Sequence, residues 1–405
     1  MKILVVSQYF YPEQFRINDI CFQLCTHGNK VTVLTGLPNY PTGEVFDGYC
    51  GKANSSEAIN GVLVYRCKLR PRHTGTKNLI LNYFSFVQNS KKMIKRIRKD
   101  YDVVFVYGVS PILQALPALK IKKKFNIPVY YYCLDLWPES VLGEQNGHKT
   151  ISRHNLFYII SKIISKSIYK KVDRIGVKCN YFSHYLSSCL NIPLSKIGLL
   201  YEHAETLYLN VSPVPKHNGI IDFMFLGNIG KIQNCNQILF AFSKLVNKKS
   251  AHLHFVGNGS ELENIKREVF NLNLSQFVSF YNQCSVEEVI NFYNLADVCV
   301  LTLSNKTSTG YTPPGKLFSY LAASRPIIAS IDGEAADIIR ESNCGYVCGA
   351  GDVLGLSELM NEAIENQELL IRMGQNGREY FKSRFMIDAF IDNLTKEFNS
   401  IIESK

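Results

Sequence analysis

The sequence predicts an α/β protein built from two facing, doubly wound, Rossmann-like domains. Three observations carry that prediction. Short, nearly continuous apolar runs recur along the chain, such as Ile3–Val6, DVVFVY at 102–107 and IDFMFL at 221–226, and segments of helical periodicity follow them; this is how strands covered by helices on both faces read. The alternation lapses at 210–219, NVSPVPKHNG, and restarts at Ile221. A chain of 405 residues is also longer than one hydrophobic core usually serves.

In the first half the pattern predicts a strand over 2–7, a helix over 18–27 that Gly28 ends, and strands over 30–35 and 61–68. A long helix over 77–99 follows, with the basic end Lys91, Lys92, Lys95, Arg96, Arg98 and Lys99. Next come a strand over 102–107, a helix over 111–125 with Lys120, Lys122, Lys123 and Lys124, and a strand over 128–133. An amphipathic helix over 150–171 sets Ile159, Ile160, Ile163, Ile164 and Ile168 against Arg153, Lys162, Lys166, Lys170 and Lys171. A strand over 174–178, a helix to about 189 and a strand over 197–201 close this half.

In the second half, strands are expected over 221–226, 253–256, 277–281, 297–303, 326–329 and 345–348. Helices run between them from Lys231 to about 247, to 271, over 286–296 and from about 315, and two helices finish the chain. The expected boundaries are a first domain at 1–204, a linker at 205–219, a second domain at 220–384, and a C-terminal helix at 385–405 that packs back on the first domain.

Composition narrows the class. Apolar content of 46% with 20% charge suits a globular chain with a sizeable core. No apolar run approaches the roughly 18 residues of a membrane span, and Met1-Lys2 leads straight into a strand rather than a signal peptide, so a cytoplasmic chain is expected. The twelve cysteines show no CxxC pair and read as buried free thiols rather than zinc ligands. Charge divides unevenly. Residues 1–200 hold 28 Lys+Arg against 11 Asp+Glu, a net of +17, and the remainder holds 17 against 23, a net of −6. One half thus faces a polyanion. Its basic clusters lie on helices that also carry Phe, Ile and Tyr, which fits an anionic bilayer better than nucleic acid; solvated helix faces are the plainer alternative.

The stretch 308–330, STGYTPPGKLFSYLAASRPIIAS, reads as loop, helix start and buried strand. A helix start offers unpartnered N–H groups, and Lys316 adds a cation, so this is a candidate diphosphate seat. Gly227-Asn-Ile-Gly230-Lys231 repeats the theme between a strand and a helix: glycines let the backbone approach a phosphate and Lys231 supplies charge. Either lysine could also be a solvated side chain near a helix start. Gly257-Asn258-Gly259 ends a strand and is a ligand loop or a plain turn. No GxGxxG follows the first strand, so a dinucleotide fingerprint is missing there. Asp100-Tyr-Asp102 matches a metal-binding DxD string but sits at the entry to a strand.

GNIGK at 227–231, HFVGNGSE at 254–261, NLADVCVLTL at 294–303, PPGKLFSYLAASRPIIAS at 313–330 and DGEAADIIRESNCGYV at 332–347 occur in an order that resembles glycosyltransferase family 4, of the GT-B fold. SQYFYPEQFRIND, LPNYPTGEVFDGY and LDLWPES resemble its O-antigen and capsule branch, which includes N-acetyl-fucosaminyl and related amino-sugar transferases. The resemblance implies a cleft between the domains. It implies a retaining, metal-independent transfer of a sugar from a nucleoside diphosphate, a UDP-sugar foremost, to a polyprenyl-diphosphate-linked oligosaccharide. It implies no cofactor, no nucleic acid, and a peripheral place on the inner face of the cytoplasmic membrane. Residue by residue it implies catalytic roles for Asp135, Lys231 and Lys316. Donor contacts fall to Gly227, Asn228, Gly230, Gly257, Asn258, Gly259, Tyr311, Gly315 and Ser319, and acceptor contacts to Glu13 and Arg16. Asp135 reads equally as a helix cap.

The chain departs from that family at telling places. Tyr311 and Ser319 stand where two glutamates with seven residues between them are usual, and no acid occurs between Asp297 and Asp332. Leu134 replaces a histidine, Asn228 an arginine and Glu202 an asparagine. The alternatives are therefore a degenerate nucleotide-sugar or lipid-binding partner of another transferase, or a GT-B epimerase of UDP-sugars, for which no carboxylate and histidine set stands out.

Overall fold

The computed structural model describes residues 1–40, 43–72, 76–142, 152–213, 219–285, 287–304 and 312–404. They form two units, Met1–Tyr201 with Ile387–Lys405, and Glu202–Met386.

The first unit runs β1 (Lys2–Val6), α1 (Ile17–Thr26), β2 (Lys30–Gly36), β3 (Ser55–Ile59), β4 (Val62–Cys67), α2 (Thr76–Met93), β5 (Val103–Gly108), α3 (Ala115–Phe125), β6 (Val129–Cys133), α4 (Leu156–Lys171), β7 (Arg174–Val177), α5 (Asn180–Leu190) and β8 (Ile197–Leu199). Its eight strands lie in the order β3-β4-β2-β1-β5-β6-β7-β8. All pairs are parallel except β3 with β4. Leu4, Val6, Val104 and Val106 point into a core shared with Phe86 and Met93 of α2, Ala118 and Ile121 of α3, and Ile168 and Tyr169 of α4. Ile3, Val5 and Phe105 point to the other face, against Ile20 and Leu24 of α1. A terminal helix, named below, covers the same face. The period-two alternation of a strand, with both faces apolar, is what makes these runs read as unbroken hydrophobic strings.

The second unit runs β9 (Ile221–Leu226), α6 (Cys235–Ser243), β10 (Ala251–Val256), α7 (Leu262–Asn271), β11 (Val278–Tyr281), α8 (Val289–Leu295), β12 (Val298–Thr302), α9 (Gly315–Ala322), β13 (Ile327–Ser330), α10 (Glu334–Glu341), β14 (Gly345–Cys348), α11 (Val353–Glu365) and α12 (Gln367–Arg384). The final helix α13 (Ile387–Glu403) belongs to the first unit. There it buries Phe390, Ile391, Leu394 and Phe398 beside α1, and Glu397 holds Arg174 at 2.6 Å. The second sheet is all parallel, in the order β11-β10-β9-β12-β13-β14. Residues 207–212, inside the expected linker, are built into this unit. Tyr208 packs on Tyr293 at 5.0 Å between ring centres. Buried Arg325 and half-buried Arg378 donate to the carbonyls of Ser212 and Val211 respectively.

Several elements differ from the sequence expectation. Gly61 is a turn residue, not the start of a strand: Asn60 and Gly61 both have positive φ and close a two-residue hairpin that adds β3 to the edge. The helix expected over 150–171 begins at Leu156, where Asn155 accepts the Phe157 N–H at 2.8 Å. The helix expected from Lys231 is a single 3-10 turn, Lys231–Gln233. Asn234 at φ 49° breaks it before α6. Three helices follow β14 rather than two, and α10 occupies the EAADIIRE segment.

Candidate active site

In each sheet the chain builds outward to one side and then returns to the other, so a crevice opens where strand order reverses, at the carboxyl ends of the strands. In the second unit the reversal lies between β9 and β12, which pair through Phe223–Val298 and Met224–Cys299. The loop after β9, Gly227–Gly230, stands at that point.

A second glycine loop holds this one in place. Gly227 N–H donates to Val256 O at 2.9 Å, Ile229 N–H to Asn258 O at 2.8 Å, and Glu261 N–H to Ile229 O at 3.0 Å. The β9–β10 pairing thus continues past the strands. The approach is so close that a Cβ on Gly257 would sit 2.1 Å from Gly227 O, and one on Gly259 2.2 Å from Ile229 O. Gly227 and Gly257 also hold φ of 122° and 139°, which side-chain-bearing residues rarely adopt. Gly230, by contrast, has an ordinary φ of −120°. What its missing side chain makes room for is the amide of Asn228 and Gln233, themselves bonded at 3.2 Å.

Lys316 comes to this loop from the start of α9. Its ammonium lies 3.8 Å from the centre of the Phe225 ring, and a Cβ on Gly227 would meet it at 3.3 Å. The ammonium is buried and has no hydrogen-bond partner among the described residues. Burial depresses its pKa from 10.5 to about 8; its neighbours Cys235 and Cys299 are thiols whose own ionisation burial pushes far up. A buried cation without a counter-charge is costly, and an anion beside this loop would relieve that cost. The N-cap of α9 is Pro314, which offers no side-chain acceptor to the first N–H groups.

Tyr320 ties the same helix to the loop. It is fully buried, and its hydroxyl accepts the Leu226 N–H at 3.2 Å, one residue before Gly227. Sequence reading missed this residue; an aromatic one place from Ser319 in an apolar helix carries no signal of its own.

The other expected donor residues are placed as follows. Lys231 is exposed at the start of the 3-10 turn, not at an α-helix N-terminus. Asn228 and Asn258 are exposed, and Gly315 opens α9 with free space about it. Ser319 is half-buried and hydrogen-bonds the phenol of Tyr293, so part of its bonding capacity is used inside the unit. Tyr311 lies outside the described residues. Of the resemblance-based departures, Asn228 is engaged with Gln233 and presents no cation.

In the first unit, strand order reverses between β1 and β5. The Gln114 amide oxygen bridges that point by accepting Gln8 N–H at 3.1 Å. Asp135, after β6, accepts the Ser110 N–H of the loop after β5 at 2.7 Å, and Ser110 in turn accepts the indole N–H of Trp137 at 3.0 Å. Asp135 is only half-buried, at the carboxyl edge of the sheet. Tyr83 feels both Asp135 and Arg72: burial raises its phenol to about 12, Arg72 lowers it and Asp135 raises it.

Glu13, expected to meet an acceptor, is 2% exposed and braces the backbone. One carboxylate oxygen accepts the N–H groups of Asn39 and Tyr40, each at 2.8 Å, and the other accepts that of Phe10 at 3.2 Å. Burial pushes its pKa up to about 7 against the pull of those three bonds. Arg16 is half-buried at the N-cap of α1, where its carbonyl accepts Ile20 N–H.

The DxD string is structural. Asp100 pairs with Lys2 at 2.7 Å and Asp102 accepts Lys2 N–H, both at the amino ends of the strands, away from the ligand edge. No cluster of three or more His, Cys, Asp or Glu that could hold a metal occurs among the described residues.

Two doubly wound parallel-sheet units, each with its switch-point loops at the strand carboxyl ends, define the GT-B class. Residues 213–380 match the family "Glycosyl transferases group 1". The second unit therefore carries that domain, and the chain is a glycosyltransferase. The chain is similar to the probable glycosyltransferase WbjE of Pseudomonas aeruginosa, 24% identical over 68% of this chain and 69% of that one. It is similar to the O-antigen chain mannosyltransferase C of Escherichia coli, 22% identical over 100% of both. It shares its fold with Anabaena HepE solved in complex with UDP, at TM-score 0.68 and 11% identity over 99% of this chain and 100% of that one.

Proposed function

We propose that this chain transfers a sugar, an N-acetylated amino sugar by the resemblance of its first-half motifs, from a UDP-sugar to a lipid-linked oligosaccharide of O-antigen or capsule. The transfer retains anomeric configuration. The observation that carries this reading is the buried ammonium of Lys316, without a hydrogen-bond partner among the described residues, beside Gly227. As the anomeric C–O bond breaks, charge accumulates on the leaving diphosphate. A preorganised cation and close backbone N–H groups stabilise it without reorganisation. Lys231, exposed beside the same loop, adds a second charge. In the first unit the half-buried carboxylate of Asp135 has the charge that a sugar ring turning positive would need, and the Glu13 brace fixes the loop at residues 39 and 40.

The net charge of +17 over residues 1–200 supports an anionic membrane surface as the partner of the first unit, with a polyprenyl-diphosphate acceptor there and the chain on the inner face of the cytoplasmic membrane. No helix among the described residues is long and apolar enough to cross a membrane, which fits a peripheral attachment.

The test is a screen of radiolabelled nucleotide sugars with membrane extract as acceptor, repeated with Lys231→Ala and Lys316→Met. Transfer by the parent and loss of roughly a hundredfold or more in each variant, with unchanged thermal unfolding, is expected. Parent-like transfer by Lys316→Met removes the central assignment. Ser319 supports a second reading, a donor-binding partner without activity, because its hydroxyl is engaged with Tyr293 where a glutamate would grip ribose. Binding of UDP-sugar with no transfer from any donor would select it.

A further inference from the structure

The amphipathic helix α4 faces the opposite way from the one its sequence suggests. The side chains it buries are Tyr158, Ser161, Ser165, Ile168 and Tyr169. Leu156, Phe157, Ile159, Ile160, Ile163 and Ile164 are exposed, Leu156 by 70% and Ile163 by 66%. At 100° per residue these six cover an arc of about 160°. Two serines are buried while four isoleucines meet solvent, an inversion of ordinary burial preference that marks an interaction surface.

The surroundings of this face are cationic. From Arg153 to Lys171 the chain holds five basic residues and no acid. Lys162 and Lys166 border the apolar arc, and Lys170 and Lys171 are exposed at its carboxyl end. Because helices between parallel strands all run against them, α2, α3 and α4 end at the same edge of the sheet. Hydrogen bonds fasten these ends together. Lys122 Nζ of α3 donates to Lys171 O at 2.8 Å, and Lys120 Nζ donates to Lys91 O at 3.4 Å. Exposed Lys123 and Lys124 thus adjoin Lys170 and Lys171 in one basic edge. That edge is opposite the one where the strands' carboxyl ends form the candidate site.

We propose that α4 inserts its Leu156–Ile164 face into the interfacial layer of an anionic lipid bilayer, lying in the membrane plane, with the lysine edge on the headgroups. This deepens the peripheral-membrane reading above and rests on it. A helix with an apolar face, lysines on its border and no acid has the chemistry of an interfacial anchor. Its 16 residues are too few to span. Charge argues against a second copy of this chain as the occupant, since self-docking would set each lysine border against another.

Vesicle co-sedimentation tests the idea, comparing mixed phosphatidylglycerol–phosphatidylcholine vesicles with pure phosphatidylcholine at low and high salt. The probes are the parent chain and the triple variant Leu156→Ser, Ile160→Ser, Ile163→Ser. These positions are exposed, so folding should survive, and thermal unfolding checks it. The expected result is parent binding to the anionic vesicles, weakened by salt, with roughly tenfold or greater loss in the triple variant. A second probe is Ile163→Trp, in a chain with a single native tryptophan. Brominated lipids should quench the new indole. Equal binding by parent and triple variant, or no quenching, overturns α4 insertion while leaving membrane association standing. Failure of the parent to bind anionic vesicles overturns both. A concentration-dependent dimer that the triple variant abolishes, without vesicle binding, assigns the face to self-association and overturns the proposal as well.

Discussion

The ammonium of Lys316 lies 3.3 Å from where a Cβ on Gly227 would stand. The two residues are far apart in sequence, and the reversal of strand order between β9 and β12 brings them together. Gly227 supplies the opening, and Lys316 fills it from below with a charge that has no partner among the described residues.

Gly227→Ala should therefore fail in two ways. Its φ of 122° is strained for any residue with a Cβ, at a cost of about 1–3 kcal/mol, and the new methyl crowds the ammonium. Thermal unfolding should show the stability loss, and titration with UDP should show weaker binding than the strain alone explains. An alanine variant that matches the parent in both would show that this loop does not need its glycine.

Diphosphate binding should weaken as pH rises through about 8, because burial holds Lys316 at that pKa and only the ammonium attracts phosphate. Calorimetry in buffers of different ionisation enthalpy should detect proton uptake on binding near that pH. Stability moves the other way. Between about 8 and 10.5 the unfolded chain holds the Lys316 proton and the folded chain does not. Unfolding free energy therefore rises with pH across that window, by at most on the order of 3 kcal/mol. Lys316→Met should flatten both profiles.

How far the sequence could be read follows from what each feature rests on. The central strands announced themselves because both faces of each sheet are covered, which makes most of their residues apolar, whereas the polar edge strand β3 did not. Lys231 and Lys316 stood out in the sequence because each follows a glycine where a helix start was expected; Lys316 does open α9, whereas Lys231 lies exposed on a 3-10 turn. The orientation of α4 was not, because its isoleucines and lysines have the same periodicity whichever side faces the sheet, and only Ser161 and Ser165 break the tie. Glu13 read as a ligand contact because an acid in a loop at a strand end has that look. Its three backbone donors come from Phe10, Asn39 and Tyr40, two of them beyond α1 and β2 in the chain.

Tyr320→Phe isolates a link that no motif announces. The change leaves the ring packing intact and removes the acceptor of a buried backbone N–H, that of Leu226. A loss of about 1–3 kcal/mol is expected, the usual cost of an orphaned buried donor. Hydrogen exchange at Leu226 should quicken and UDP binding should weaken, since Leu226 fixes Gly227. Slow exchange at Leu226 in the variant would mean another group takes over.

Glu13→Gln asks whether the first unit depends on a carboxylate rather than on any side chain of that shape. Glutamine keeps one oxygen for Asn39 and Tyr40, but its amide then points N–H at the N–H of Phe10. Either rotamer leaves at least one buried donor facing another donor, so a stability loss of about 2–3 kcal/mol is expected. The pH arm adds a sign. The folded pKa is raised from 4.5 to about 7, so the folded chain binds the extra proton between those values. The group's contribution is fully present below 4.5 and is lost as pH rises toward 7. Unfolding free energy in the parent should carry that downward slope, and Glu13→Gln should lack it. Because Glu13 is buried beneath the loop, the variant's acceptor affinity should fall in proportion to the disorder of residues 37–40, while UDP binding by the second unit stays at the parent level. A variant that lost UDP binding but kept acceptor affinity would contradict this brace.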